Sequence, residues 1–141
     1  MAFELDARLA ADTLFVSDLA LSQLRLMNDV RYPWLVLVPR QPGLTALDDL
    51  SADDRAVLSA ELDLASRVLR RDARVARVNV ASLGNIVEQL HVHVVGRWPG
   101  DPAWPGPVWG HAPAQLYAQG AAASAVRGMQ VRWRELAAAP S

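Results

Sequence analysis

The sequence predicts an α+β protein in which a single antiparallel sheet carries one long helix and a C-terminal helix. Three observations point there. Several short segments with strand character flank one long segment with helical periodicity. The early strand segments follow one another through connections of a few residues, too short for parallel crossovers. The element order is a short helix, strands, a long helix, strands and a last helix, which suits a sheet with helices packed on one face.

Residues 3–11 (FELDARLAA) read as a short helix, with Leu5 and Leu9 one turn apart. TLFVSD, 13–18, reads as a short strand. SQLRLM, 22–27, sets Leu24 and Leu26 against polar neighbours, as a half-buried strand requires, and Asn28–Asp29 reads as a turn. PWLVLVP, 33–39, is an apolar run bounded by prolines, a buried strand ending at Pro39. The clearest helix spans 52–71. Ser51 is its N-cap, Asp53 and Asp54 favour the positive end of the dipole, and Leu58, Leu62, Ala65 and Leu69 form one stripe. RVARVNVA, 74–81, reads as a strand, Ser82–Asn85 as a loop holding Gly84, and Val87–Val95 as the next strand. WPGDPAWPGPVWG, 98–110, carries four prolines and is a loop, which Trp98, Trp104 and Trp109 anchor onto the core. The Ala-rich tail over 113–139 reads as helical, weakened at Gly120 and Gly128.

Composition narrows the function. At 141 residues and 52% hydrophobic content, the chain is expected to form one domain over 1–141 with a core of its own. A net charge of -1 offers no electrostatic footprint for nucleic acid, so no nucleic-acid partner is expected. No apolar run approaches the roughly 18 residues of a membrane span, so no membrane partner is expected either. The N-terminal MAFELDARLAADTLF lacks the basic region of a signal peptide, and a cytoplasmic location is the expectation. Cysteine is absent, which excludes disulfides, thiol nucleophiles and Cys-ligated metals. Lysine is absent too, all 14 basic side chains being arginine, which removes Schiff-base chemistry and the lysine of a P-loop. Covalent chemistry is left to His, Ser, Thr, Tyr, Asp or Glu.

Two of the chain's three histidines lie in QLHVHVVGR, residues 89–97. A strand alternates faces with period two, so Gln89, His91 and His93 point one way, about 7 Å apart by strand rise. Leu90, Val92 and Val94 point the other way, into a core. Zinc wants three or four protein ligands, and His111 is the only other histidine, so no metal and no cofactor are expected. Without a metal, one imidazole can act as a nucleophile through a neutral ring nitrogen if the other nitrogen holds its proton. The second can stabilise charge on a phosphoryl oxygen or supply a proton to a leaving group.

Q-L-H-V-H-V-V resembles the histidine triad motif, His-φ-His-φ-His-φ-φ with φ hydrophobic, of the histidine triad (HIT) family of nucleotide hydrolases and transferases. PWLVLVPR resembles the family's Pro-Gly-His strand, and LGNIV, 83–87, falls where the family has a Gly-Gln-Ser/Thr-Val phosphate loop. The similarity spans roughly residues 13–110. It implies a HIT-like fold, an antiparallel meander in a homodimer that takes a small-molecule nucleotide. It makes His91 the nucleophile, through a covalent nucleotidyl-histidine, and His93 the third histidine, against the phosphate. Gly84, Asn85, Ile86 and Val87 take the phosphate-loop positions. Asn79 is similar in position to an asparagine near the leaving group, and Asn28 or Asp29 stands for the ribose-binding aspartate. Arg97 follows the strand and is a candidate phosphate contact.

The departures from the family pattern matter as much. Gln89 replaces the first histidine, an amide that hydrogen-bonds but does not change charge near neutral pH. Trp34 stands where the Pro-Gly-His strand has its histidine, and Ile86 removes a hydroxyl. An enzyme tuned by these changes is the leading expectation. A nucleotide-binding module with weak or no turnover is the alternative.

Overall fold

A computed structural model describes residues 1–139; the last two residues of the expected domain, 140–141, lie outside it. Helix α1 (Ala7–Asp12) is capped by Asp6, whose carboxylate accepts from the Arg8 amide. Strands β1 (Thr13–Asp18), β2 (Ser22–Met27) and β3 (Trp34–Pro39) follow as a meander. Helix α2 (Ala52–Leu69) then leads to β4 (Arg77–Ala81), β5 (Val92–Arg97) and α3 (Ala121–Ala138). The sheet order is β1-β2-β3-β5-β4, and every neighbouring pair is antiparallel. The meander therefore ends at β3. The connection through α2 carries the chain to the far edge, and β5 returns between β3 and β4, where its apolar run is buried on both sides.

The period-two pattern sorts the strands onto two cores. Leu24, Leu26, Leu35, Leu37, Val92 and Val94 lie on the face covered by α2 and α3. Trp34, Val36, Val38 and Val95 lie on the opposite face, with Leu9 of α1 and with Ala103 and Val108 of the Pro-rich loop. Leu35 and Leu37 are wholly buried. Cutting either to alanine would cost about 2–5 kcal/mol, the transfer loss plus the cavity left behind. The long helix is built as its sequence requires: Ser51 Oγ accepts from the Asp54 amide at 3.1 Å, and Leu58, Ala65, Val68 and Leu69 face inward. Glu61 lies on that buried face too. Its carboxylate accepts from the backbone N–H groups of Leu21 and Ser22, so α2 pins the β1–β2 hairpin by charge-assisted bonds.

Several boundaries differ from expectation. The first helix covers Ala7–Asp12, because Gln89 holds residues 4–6 extended by accepting from the Asp6 amide and donating to the Glu4 carbonyl. The strand expected over 87–95 covers Val92–Arg97 instead: its ladder with β3 ends at the Leu37–Val92 pair, and the Leu90 amide turns to the Leu44 carbonyl. The tail is helical only from Ala121, after Gly120 at φ +88°. Residues ahead of it are held extended against the β2–β3 turn, where the Val30 amide donates to Gln115 and the Tyr117 amide to Asn28 Oδ1. Gly96 is required by close approach: a Cβ there would come within 2.8 Å of Pro33 and 2.7 Å of Val75.

Candidate active site

The face of β5 opposite the helices carries His93, Val95 and Arg97, with His91 just ahead of the strand. This face is no open polar edge. His91 is 6% exposed and His93 5%, because α1 and the loop after β5 cover it. The two rings meet edge to face at 5.0 Å between centroids.

Backbone and indole geometry gives the histidines opposite tautomers. His91 Nδ1 lies 2.7 Å from the carbonyl oxygen of Gln89. A carbonyl only accepts, so the His91 proton resides on Nδ1 and the lone pair on Nε2. Trp34 Nε1–H donates to His93 Nδ1 at 3.0 Å. An indole N–H only donates, so the His93 proton resides on Nε2. Burial, with a smaller push from His91, lowers the His93 pKa from 6.5 to about 3, so this ring is neutral at physiological pH. Trp109 packs edge-on against both His93 and Trp34, at 5.4 and 6.3 Å. Its indole N–H is buried without a partner among the described residues.

Both imidazoles line a cavity of about 580 Å³ that the 83–87 loop also borders. Gly84, Asn85, Ile86 and Val87 all line it, Gly84 turning the loop at φ +70°. Ile86 is largely exposed. Asp29 lines it as well and is 2% exposed. Burial would raise its pKa, but the paired bonds from Arg31, at 3.0 and 2.8 Å, outweigh this and hold the carboxylate below its usual range. Helix α1 supplies Arg8, Leu9 and Asp12 to the same wall. Among the described residues no group of three or more His, Asp or Glu side chains is placed to hold a metal ion.

Other residues named from the sequence lie off the cavity. The Gln89 side chain turns to the N-terminal segment, so the in-line trio of Gln89, His91 and His93 does not form: the strand does not extend back to Gln89. Asn28 accepts from the Tyr117 amide, leaving Asp29 as the member of that pair on the cavity. Arg97 is 1% exposed and spends its donors on Asp101, Asn79 and the Gly106 carbonyl. It is an internal brace and not a free phosphate ligand, and Asn79 is its partner. Sequence reasoning missed Trp34 as a donor to His93, and missed Arg8 and Asp12. Arg8 and Asp12 left a signal in their i, i+4 spacing on one helix face, whereas Trp34 left none, because the pairing of β3 with β5 joins strands remote in sequence.

An antiparallel α+β sheet that presents an unprotonated imidazole nitrogen beside a neutral second imidazole, over a cavity with an ionised carboxylate, defines a protein with a histidine-centred site. The model of the HIT domain matches residues 8–100, and the chain belongs to the histidine triad (HIT) family, which binds nucleotides and includes hydrolases and transferases. It is similar to a histidine triad protein of Sinorhizobium meliloti 1021, at 41% identity over 94% of this chain and 96% of that one, with a TM-score of 0.86. A histidine triad protein of Marinobacter aquaeolei VT8 is 39% identical over 96% and 99%, with a TM-score of 0.91. One of Bradyrhizobium japonicum is 38% identical over 96% and 98%, with a TM-score of 0.86. No curated protein gives a match.

Proposed function

We propose that the protein is a nucleotide hydrolase or nucleotidyl transferase of the HIT type. It acts on a phosphoanhydride or phosphoramidate bond of a nucleotide, read as an adenine nucleotide, through a covalent nucleotidyl-histidine at His91. The observation that carries this reading is the 2.7 Å contact between His91 Nδ1 and the Gln89 carbonyl. It places the proton of the neutral ring on Nδ1 and the lone pair on Nε2, the tautomer a nucleophilic imidazole needs.

In the first step Nε2 attacks the α-phosphorus and the leaving group departs. In the second, water takes the nucleotidyl group from His91. Neutral His93 offers its Nε2–H to a phosphoryl oxygen. The loop Gly84–Val87 receives the phosphate through backbone N–H groups, with Asn85 adding an amide where Ile86 adds no hydroxyl. Asp29, ionised and on the cavity, accepts from ribose hydroxyls. Gln89 stands at the first triad position and serves the nucleophile through its main chain. We read the protein as a cytoplasmic homodimer. The edge position of β4, with Val80 49% exposed, supports an interface there. No helix among the described residues is long and apolar enough to cross a membrane.

A second reading, a nucleotide-binding module with little turnover, is favoured by Ile86, whose apolar side chain is 77% exposed in the phosphate loop. Incubation with a dinucleoside polyphosphate and with an adenosine phosphoramidate, beside His91→Ala, separates the two. Release of mononucleotide by wild type alone supports the enzyme. AMP binding by calorimetry with no product from either substrate supports the module.

A further inference from the structure

Trp34 and His93 bear on which leaving groups the site can release. The indole N–H occupies His93 Nδ1 at 3.0 Å, and Trp109 closes against the same ring. A second proton on Nδ1 would meet the indole proton head-on, since the indole has no acceptor to offer. Trp34 is 7% exposed and packed between Tyr32, at 6.2 Å, and Trp109, so it has little room to rotate away. His93 thus has one proton, on Nε2. It can lend that proton as a hydrogen bond, but giving it up would leave an imidazolate, so it is no general acid near neutral pH. His91 is the nucleophile itself, and its one proton is held by the Gln89 carbonyl.

We infer, building on the reading of His91 as nucleophile, that the Trp34–His93 pair selects phosphoanhydrides over phosphoramidates as substrates. With an anhydride, the Nε2 lone pair of His91 forms the N–P bond as the P–O bond to the leaving group breaks. The bond's electron pair departs on a phosphate oxygen, which is stable as an anion and needs no proton. The ring keeps its Nδ1 proton and becomes a cationic N-phosphoryl imidazolium. Water then forms a new P–O bond, the N–P pair returns to Nε2, and the water's proton passes to solvent. With a phosphoramidate, breaking P–N returns the pair to an amine nitrogen, which departs only if it receives a proton. The neutral His93 does not supply it. Trp34 is a positioning residue: it acts on the leaving group through the imidazole it holds.

General acid assistance is worth about 10²–10⁴-fold, so kcat/KM for an adenosine polyphosphate should exceed that for an adenosine phosphoramidate of an alkylamine by about 10²-fold or more. Trp34→Phe keeps an aromatic ring and removes the donor. Its phosphoramidate kcat should rise on acidification with KM little changed, along a limb that lies below the ordinary histidine value of about 6.5, because burial still holds the ring down, and that wild type lacks. Equal rates on the two substrates in wild type, or an unchanged substrate ratio in Trp34→Phe, would overturn the inference. Nitrogen NMR of the wild type tests the lock without turnover: His93 should show an unprotonated Nδ1 and a protonated Nε2, and the reverse pattern overturns it. Inactivity on both substrates would sink the hydrolytic reading and this inference with it, whereas indiscriminate cleavage of both would sink only the inference.

Discussion

The carbonyl oxygen of Gln89 lies 2.7 Å from Nδ1 of His91, while the side chain of the same glutamine points away and bonds the backbone at Glu4 and Asp6. The main chain of residue 89 sets the tautomer of His91. Its side chain has a separate job, fastening the segment that leads into α1 and so the wall formed by Arg8, Leu9 and Asp12.

Gln89→Ala should therefore act on binding more than on chemistry. The His91 contact survives, since it uses the carbonyl, and kcat should change little. Two hydrogen bonds to the N-terminal segment are lost, each worth about 0.5–1.5 kcal/mol, and KM should rise with the loosened wall. Steady-state kinetics decide it. A collapse of kcat at constant KM would mean that the amide takes part in the chemical step.

His93 predicts a stability profile with pH. Its folded pKa of about 3 lies below the unfolded value of 6.5, so between these values the unfolded chain binds the extra proton. Stability from this group is intact above pH 6.5 and falls on acidification towards pH 3, by up to about 1.4 kcal/mol per pH unit. Denaturant midpoints measured from pH 7 to pH 4 should fall, and His93→Gln should flatten that slope. An equal slope in both proteins would place the acid sensitivity elsewhere.

The buried Arg97–Asp101 pair predicts a structural phenotype. The side chains are 2% and 0% exposed, and Asp101 also accepts from the amides of Trp98, Ala103 and Trp104. Burial would raise the Asp101 pKa, but the Arg97 bonds and charge and the amides of Trp98 and Ala103 hold it below the usual range. Arg97→Ala leaves that carboxylate buried and unpaired, at a cost of about 3–5 kcal/mol in unfolding free energy. A loss of affinity for nucleotide with unchanged stability would instead make Arg97 a ligand contact.

Asp29 predicts a sugar preference. Its ionised carboxylate on the cavity suits ribose hydroxyl donors, and a hydrogen bond to a charged group is worth about 1.5–3 kcal/mol. Asp29→Asn should weaken nucleotide binding by roughly one to two orders of magnitude. The variant should also lose most of the discrimination between ribo- and deoxyribonucleotides. Undiminished discrimination in titration calorimetry would remove Asp29 from the sugar site.

Much of the fold was legible because burial follows alternation: Leu24, Leu26, Leu90, Val92 and Val94 were assigned to the core by period two alone, and all lie there. The helix 52–71 was legible from Ser51 and its apolar stripe, although Glu61 within it was not, since its partners are backbone amides remote in sequence. Period two also misled. It extends a strand as far as the pattern runs, whereas β5 begins only where β3 supplies a partner, so Gln89 was wrongly aligned with the histidines. Arg97 was offered to a phosphate because nothing local in the sequence reveals that Asp101, four residues on in a Pro-rich loop, folds back to claim it. Trp34 was read as the loss of an imidazole. Only the cross-strand neighbourhood of β3 and β5 reveals the donor it brings to His93.

The most direct measurement is the intact mass of the protein after rapid mixing with an adenosine polyphosphate and acid-free quenching. The expected result is one added nucleotidyl group in wild type, mapped to His91 and absent from His91→Ala. The adduct should decay at the rate of nucleotide release. An adduct on another residue, or turnover without any adduct and undiminished in His91→Ala, would contradict nucleophilic catalysis by His91.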